Sequence, residues 1–114
     1  MANHRADRMS EDIQREIAAL IMEMKDPRLH NGIVSVVRCD MARDLSYCKV
    51  YISSMKGLDT AKEAAKALTN AQGYIRRELG LRLKLRYAPA LNFEATDSIE
   101  YSANISRILG DILD

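Results

Sequence analysis

Apolar residues recur at helical spacing through Met9, Ile13, Ile17, Leu20, Ile21 and Met24, and Pro27 closes the pattern three residues later. The spacing gives one buried stripe on an amphipathic helix. Asp7 or Ser10 is expected to cap its start, with Glu11 and Asp12 suited to the positive end of the dipole. Pro27 forces the stop, because the residue before a proline is pushed out of helical geometry.

Beyond the proline the period changes from helical to two. Ile33 to Met41 and Tyr47 to Ser53 are rich in β-branched and aromatic residues, joined by the polar link Ala42-Arg43-Asp44-Leu45. A four-residue loop there pairs Cys39 with Cys48, Val37 with Val50 and Ser35 with Ile52. Ile33 and Met41 then share that inward face, while Arg38, Asp40, Tyr47, Lys49 and Tyr51 face the other way. A second helical run starts near Asp59 or Thr60 and keeps Ala64, Leu68, Ala71, Ile75 and Leu79 on one stripe. Gly73 sits inside it, where glycine costs a helix about 1 kcal/mol relative to alanine and suggests a kink or a close approach.

Leu81 to Tyr87 alternates like a strand, yet Leu83 also continues the Ile75–Leu79 stripe, so both readings stay open. Ala90 to Asp97 reads as a third strand. A last helix follows, capped by Asp97 or Ser98, with Tyr101, Ile105, Ile108 and Ile112 inward. The order is α-β-β-α-(kink)-α-β-α, an α+β class.

With 114 residues, 47% of them hydrophobic, the chain suits one domain with one core. No apolar run approaches the roughly 18 residues of a membrane helix, and the start lacks the apolar stretch of a secretory signal. Cys39 and Cys48 are too few for a disulfide framework, so reduced thiols in a cytoplasmic protein are expected. Net charge is +1, but its distribution is uneven. Arg76, Arg77, Arg82, Lys84 and Arg86 stand against Glu78 alone, whereas five acids stand against Arg107 from Ala88 to the end. Such a dipolar chain attracts phosphate on one face without being basic as a whole.

Reactive groups are scarce. His4 lies at the terminus, His30 in a polar turn, and neither has a nucleophile or carboxylate placed beside it by the pattern. The cysteines face the core, there is no phosphate loop, and no metal-type spacing exists. An enzyme is therefore not expected, nor a cofactor or metal.

Helix, hairpin, interrupted helix pair and strand form the element order of a type II KH domain, a module that holds single-stranded RNA at a Gly-x-x-Gly turn. This chain lacks that turn and has Asn70-Ala71-Gln72-Gly73 at the corresponding break, which resembles the Ala-x-Gly interruption of the ribosome-binding factor A family. Lys25-Asp26-Pro27-Arg28, Arg43-Asp44-Leu45-Ser46 with Cys48-Lys49-Val50-Tyr51, and Gly73-Tyr74-Ile75-Arg76-Arg77-Glu78-Leu79-Gly80 resemble further motifs of that family in the same order. So do Pro89-x-Leu91-x-Phe93 and the Asp97-Ser98 helix start.

The resemblance implies a single KH-like domain over residues 1–114, with a three-stranded sheet packed by helices, a kinked helix pair and a C-terminal helix. It implies a monomeric, non-catalytic partner of the small ribosomal subunit and its rRNA. Such a protein assists late maturation near the rRNA 5′ end, above all in the cold. Some members carry a longer C-terminal tail, and no function of such a tail is expected here. The missing Gly-x-x-Gly turn means that the usual KH grip on four nucleotides is not carried over.

On this reading Asn70, Ala71 and Gly73 make the kink, since glycine tolerates backbone geometry other residues resist. Arg76, Arg77, Arg82, Lys84 and Arg86 lie beside it and meet phosphates, and Arg5, Arg8, Arg43 and Lys49 are further candidates. A rival reading makes the mixed face around Tyr47 and Tyr51 the docking surface of a protein-interaction module.

Overall fold

The computed structural model describes residues 4–97. Helix α1 runs His4–Glu23, and its stripe is buried as the spacing requires: Ile13, Ile17 and Leu20 are fully inaccessible. The helix begins ahead of both expected caps. Asp7 and Ser10 lie within it, and the Ser10 hydroxyl instead accepts the Met41 N–H at 3.1 Å. It also stops before Pro27 is reached. Asp26 is extended (φ −66°, ψ 123°), as a residue before proline must be, and its Oδ1 accepts the Arg28 N–H at 2.9 Å. A 3-10 turn over Pro27–Leu29 then drives Leu29 into the core.

Strands β1 (Val34–Met41) and β2 (Tyr47–Ser54) form the antiparallel hairpin, and β3 (Ala90–Ala95) joins β2 in parallel, giving the sheet order β1-β2-β3. A parallel neighbour needs a crossover. Helices α2 (Leu58–Asn70) and α3 (Gln72–Arg82) supply it. Alanines 61, 64, 65 and 67 are buried on α2, and such small side chains let it lie close against β2 and β3. The core joins α1, the 3-10 turn, the sheet's inner face and both crossover helices through Leu20, Leu29, Ile52, Leu68, Ile75, Leu79 and Phe93. This is the α+β, KH-like arrangement expected. The anticipated C-terminal helix, with Tyr101, Ile105, Ile108 and Ile112, lies outside the described residues.

Hairpin register departs from expectation in two places. Cys39 stands opposite Val50, and Met41 opposite Cys48, so the cysteines are diagonal rather than direct neighbours. The reason lies in the loop. It comprises Arg43 to Ser46, because Asp44 must hold Ser46 inside the turn, and the strands close at Ala42, whose N–H donates to Tyr47 O at 2.8 Å. A two-residue displacement preserves the face of every side chain, so Cys39, Cys48 and Val50 still point inward.

The second departure does change faces. The register shifts between Val36 and Arg38, and the extra residue reverses the alternation below it. Val34 and Val36 therefore pack on the core, in place of the expected Ile33, Ser35 and Val37, and Ile33 is left exposed. Gln14 of α1 donates to the Val36 carbonyl at 3.2 Å, satisfying backbone at the bulge.

Candidate nucleic-acid interface

Because β3 is parallel to β2, the start of both strands and the end of β1 meet at one end of the sheet. The hairpin loop caps that end. Leu45 N–H donates to Ala42 O at 2.9 Å, and Asp44 Oδ1 accepts both the N–H (3.1 Å) and the hydroxyl (2.6 Å) of Ser46. Leu45 adopts φ +65°, a left-handed conformation uncommon outside glycine, and is half-buried. The first turns of α1 pass beside the loop through Arg5 and Met9.

The remaining wall comes from the segment that sequence pattern left undecided. α3 is helical to Arg82, and Leu83 caps it. Lys84 then turns left-handed (φ +55°) and Leu85 N–H reaches back to Gly80 O at 2.9 Å. This is the Schellman helix ending, with lysine where glycine is usual. Leu81 and Arg82 thus continue the helix, Leu83 extends its buried stripe, and 84–87 is neither strand nor helix. Arg76 donates to Ala88 O at 3.0 Å and Gln72 Oε1 accepts the Leu91 N–H at 3.0 Å, which fixes the return into β3. Gln72 was missed by sequence reasoning. A glutamine at a helix start carries no local sign of a partner 19 residues on.

These pieces enclose a groove of about 490 Å³, lined by Arg5, Met9, Met41, Asp44, Leu45, Ser46, Leu85, Arg86, Tyr87 and Pro89. Arg5 and Arg86 share it with Tyr87, an exposed residue. Exposed Arg43 and Lys84 directly flank lining residues, and exposed Arg8 lies one turn from Arg5. The end of the sheet therefore gathers basic residues that lie far apart in sequence.

The family model for ribosome-binding factor A matches residues 5–109. The chain belongs to the ribosome-binding factor A family. Ribosome-binding factor A of Caldicellulosiruptor saccharolyticus is 44% identical over 114 residues, covering 98% of this chain and 84% of that protein. The Clostridium tetani relative is 42% identical, with 98% and 93% covered. The crystal structure of the Thermus thermophilus ribosome-binding factor A superposes with a TM-score of 0.69 at 24% identity, over 79% of this chain and 93% of that one, a likeness of fold.

The other basic residues of the chain have different surroundings. Arg82 bridges helices: its guanidinium lies 2.7 Å from Glu23 and 3.8 Å from Glu16 of α1, and 3.2 Å from Glu78 of α3. The hydrogen bond to Arg82 holds the Glu23 carboxyl below its ordinary value, and Glu23 in turn raises the guanidinium. Lys49 pairs with Glu94 across β2 and β3 at 2.9 Å, which raises the ammonium. Arg38 pairs with Asp40 at 3.0 Å, and Tyr51 lies within 4.8 Å of Arg38 and 5.5 Å of Lys49, measured to the ring centre. Arg77 lies 5.9 Å from the Tyr74 ring on the exposed side of α3.

The break between α2 and α3 falls at Ala71 (φ −95°, ψ 14°). Its N–H is shared between Ala67 O and Leu68 O at 3.1 Å each, and its carbonyl starts α3 by accepting the Ile75 N–H at 3.0 Å. Asn70 ends α2 and is exposed. Gly73 lies inside α3 without positive φ, and a Cβ added there would meet nothing within 4 Å. Glycine is therefore not what the break needs.

Cys39 and Cys48 are free and buried. Hydrogen bonding of its S–H to Cys48 and burial both push the Cys39 thiol up, so it stays protonated. His30 bonds the Met24 carbonyl. Among the described residues no three His, Cys, Asp or Glu side chains are placed to hold a metal, and no helix is long and apolar enough to cross a membrane.

Proposed function

We propose that this chain binds the small ribosomal subunit by laying the hairpin end of its sheet on the subunit's RNA, and so assists late maturation of that RNA near its 5′ end, above all in the cold. It acts in the cytoplasm as a monomer, by binding rather than by turnover. Family membership supports the partner, as does a Thermus thermophilus ribosome binding factor A model fitted into the map of a 30S complex, which has the same fold (TM-score 0.60, 23% identity). The observation that carries the contact surface is the groove, where Arg5 and Arg86 lie beside exposed Tyr87 with Arg8, Arg43 and Lys84 around them. Basic side chains supply affinity for phosphate, and an exposed aromatic ring offers a stacking surface.

Gly73 fits the same reading. A glycine that neither φ nor packing requires leaves room for a nucleic-acid backbone against α3, close to Arg76 and Arg77. Arg82 and Lys49 already hold carboxylates and serve the fold rather than the interface.

The test is sedimentation with purified small subunits across a salt series. Joint replacement of Arg5, Arg43, Lys84 and Arg86 by glutamine should weaken binding by at least tenfold. Each lost phosphate contact flattens the log–log salt slope by about 0.7–0.9. Replacing the paired cations Arg38 and Lys49 by glutamine should leave affinity and slope unchanged. Equal slopes and affinities for the parent and the fourfold variant would remove this end of the sheet from the interface.

A further inference from the structure

The groove has three features that phosphate binding does not use: apolar walls, an exposed aromatic ring and a lone carboxylate. Met9, Met41, Leu45 and Pro89 line it, and its volume of about 490 Å³ lies within the range of pockets that enclose small ligands. Tyr87, at that pocket, is an exposed residue with 81% of its surface accessible. Single-stranded RNA is commonly read by splaying one base onto such a ring and pairing its edge with polar groups.

Asp44 carries the choice of base. Both bonds from Ser46 go to Oδ1, which fixes the carboxylate and leaves Oδ2 outside those two bonds. The same two bonds hold the Asp44 carboxyl below its ordinary range, so it is ionised and accepts without donating at neutral pH. Guanine has two adjacent donors, N1–H and the N2 amine, on its pairing edge. Adenine and cytosine set a ring acceptor beside their amine, and uracil flanks its single N–H with two carbonyls. An acceptor-only group therefore suits guanine and repels the neighbouring acceptors of the other three.

We propose that the groove receives one guanine splayed out of the RNA, its ring on Tyr87, its N1–H and N2 amine on the Asp44 carboxylate, and its phosphate on Arg5 and Arg86. The inference rests on the RNA-contact reading above and names what that site selects.

Guanosine, inosine and adenosine 5′-monophosphates are titrated into ¹⁵N-labelled full chain, with amide shifts as the readout. Inosine keeps N1–H and lacks the N2 amine, so it isolates one bond. Guanosine monophosphate should move the amides of residues 44–46 and 85–87 and bind about tenfold more tightly than inosine monophosphate, as loss of one bond to a charged acceptor implies. Adenosine monophosphate should bind no better than inosine monophosphate. Asp44→Asn keeps an oxygen for Ser46 but presents an amine to the base, and it should abolish the guanine preference. Tyr87→Ala should weaken all three nucleotides about equally. Unchanged shifts elsewhere in the spectrum report that both variants are folded. Equal binding of guanosine and inosine monophosphates by the parent, or shifts that avoid the groove, would overturn the proposal. Small-subunit binding separates the two failures. If the base preference is absent but the fourfold charge variant still loses the subunit, the guanine site falls and RNA contact stands. If the charge variant also binds like the parent, both fall.

Discussion

Basic side chains at the hairpin end of the sheet and those elsewhere differ in what they already hold. Arg38, Lys49 and Arg82 each have a carboxylate oxygen at 3.0 Å or less. Among the described residues Arg5, Arg43, Lys84 and Arg86 form no ion pair, although Asp44 lines the same groove. A paired cation must give up its partner before it can take a phosphate, whereas an unpaired one gives up only water and counterions. The run from Arg76 to Arg86 contains both kinds, so a count of its charges overstates what it can offer to RNA.

Arg82 is where the comparison breaks most visibly. Arg82→Gln leaves Glu16, Glu23 and Glu78 facing one another across α1 and α3 without a cation between them. Melting temperature at neutral pH should fall more than for any other change considered, while the salt slope of subunit binding stays at the parent's value. The pH dependence has a definite sign. Arg82 depresses the Glu23 carboxyl in the folded protein below its ordinary value of 4.5. Stability from the pair is therefore present above about pH 4.5 and is lost as pH falls through the lowered folded value. Parent and variant should converge in melting temperature in acid. A gap that persists there would assign the role of Arg82 to packing rather than charge.

Much of the fold was legible because periodicity reports burial. The α1 stripe, the inward Cys39, Cys48 and Val50, and the Ala64–Leu68–Ile75–Leu79 seam all follow from spacing. Register below Val37 was not, because Val36 and Val37 are both apolar and either can face the core. Partners of long-range ion pairs were not legible either: Glu23 is 59 residues from Arg82, and no local pattern links them. The candidate site fared similarly. Its basic residues were all named, but their convergence around Tyr87 depends on β3 running parallel to β2, and the strand-like alternation that includes Tyr87 gives no sign of a groove there.

Gly73 sharpens the comparison with a smaller effect. Its helical backbone and open surroundings mean that Gly73→Ala should stabilise the fold by about 1 kcal/mol, with the break retained at Ala71. Thermal melts read the gain. If RNA backbone comes close at this position, small-subunit affinity falls although stability rises. Undiminished affinity would confine the interface to the groove and exclude the α3 face from it.

Lys84 combines both halves of the comparison in one residue and should give the smallest change. It is exposed, forms no ion pair among the described residues, and holds the left-handed position that ends α3. A non-glycine residue there costs roughly 1–2 kcal/mol of backbone strain. Glycine relieves that strain, but its freer unfolded chain returns about 0.4–1 kcal/mol. The net gain for Lys84→Gly is therefore about 0.5–1 kcal/mol, with the Leu85–Gly80 hydrogen bond preserved. Lys84→Gln removes the same charge and keeps the strain, so it should leave melting temperature unchanged. If Lys84 meets a phosphate, both variants flatten the salt slope of subunit binding by about 0.7–0.9 and differ from each other only in stability. If neither variant alters the slope, the Lys84 charge takes no part in the interface. The unpaired set at the hairpin end would then shrink to its arginines.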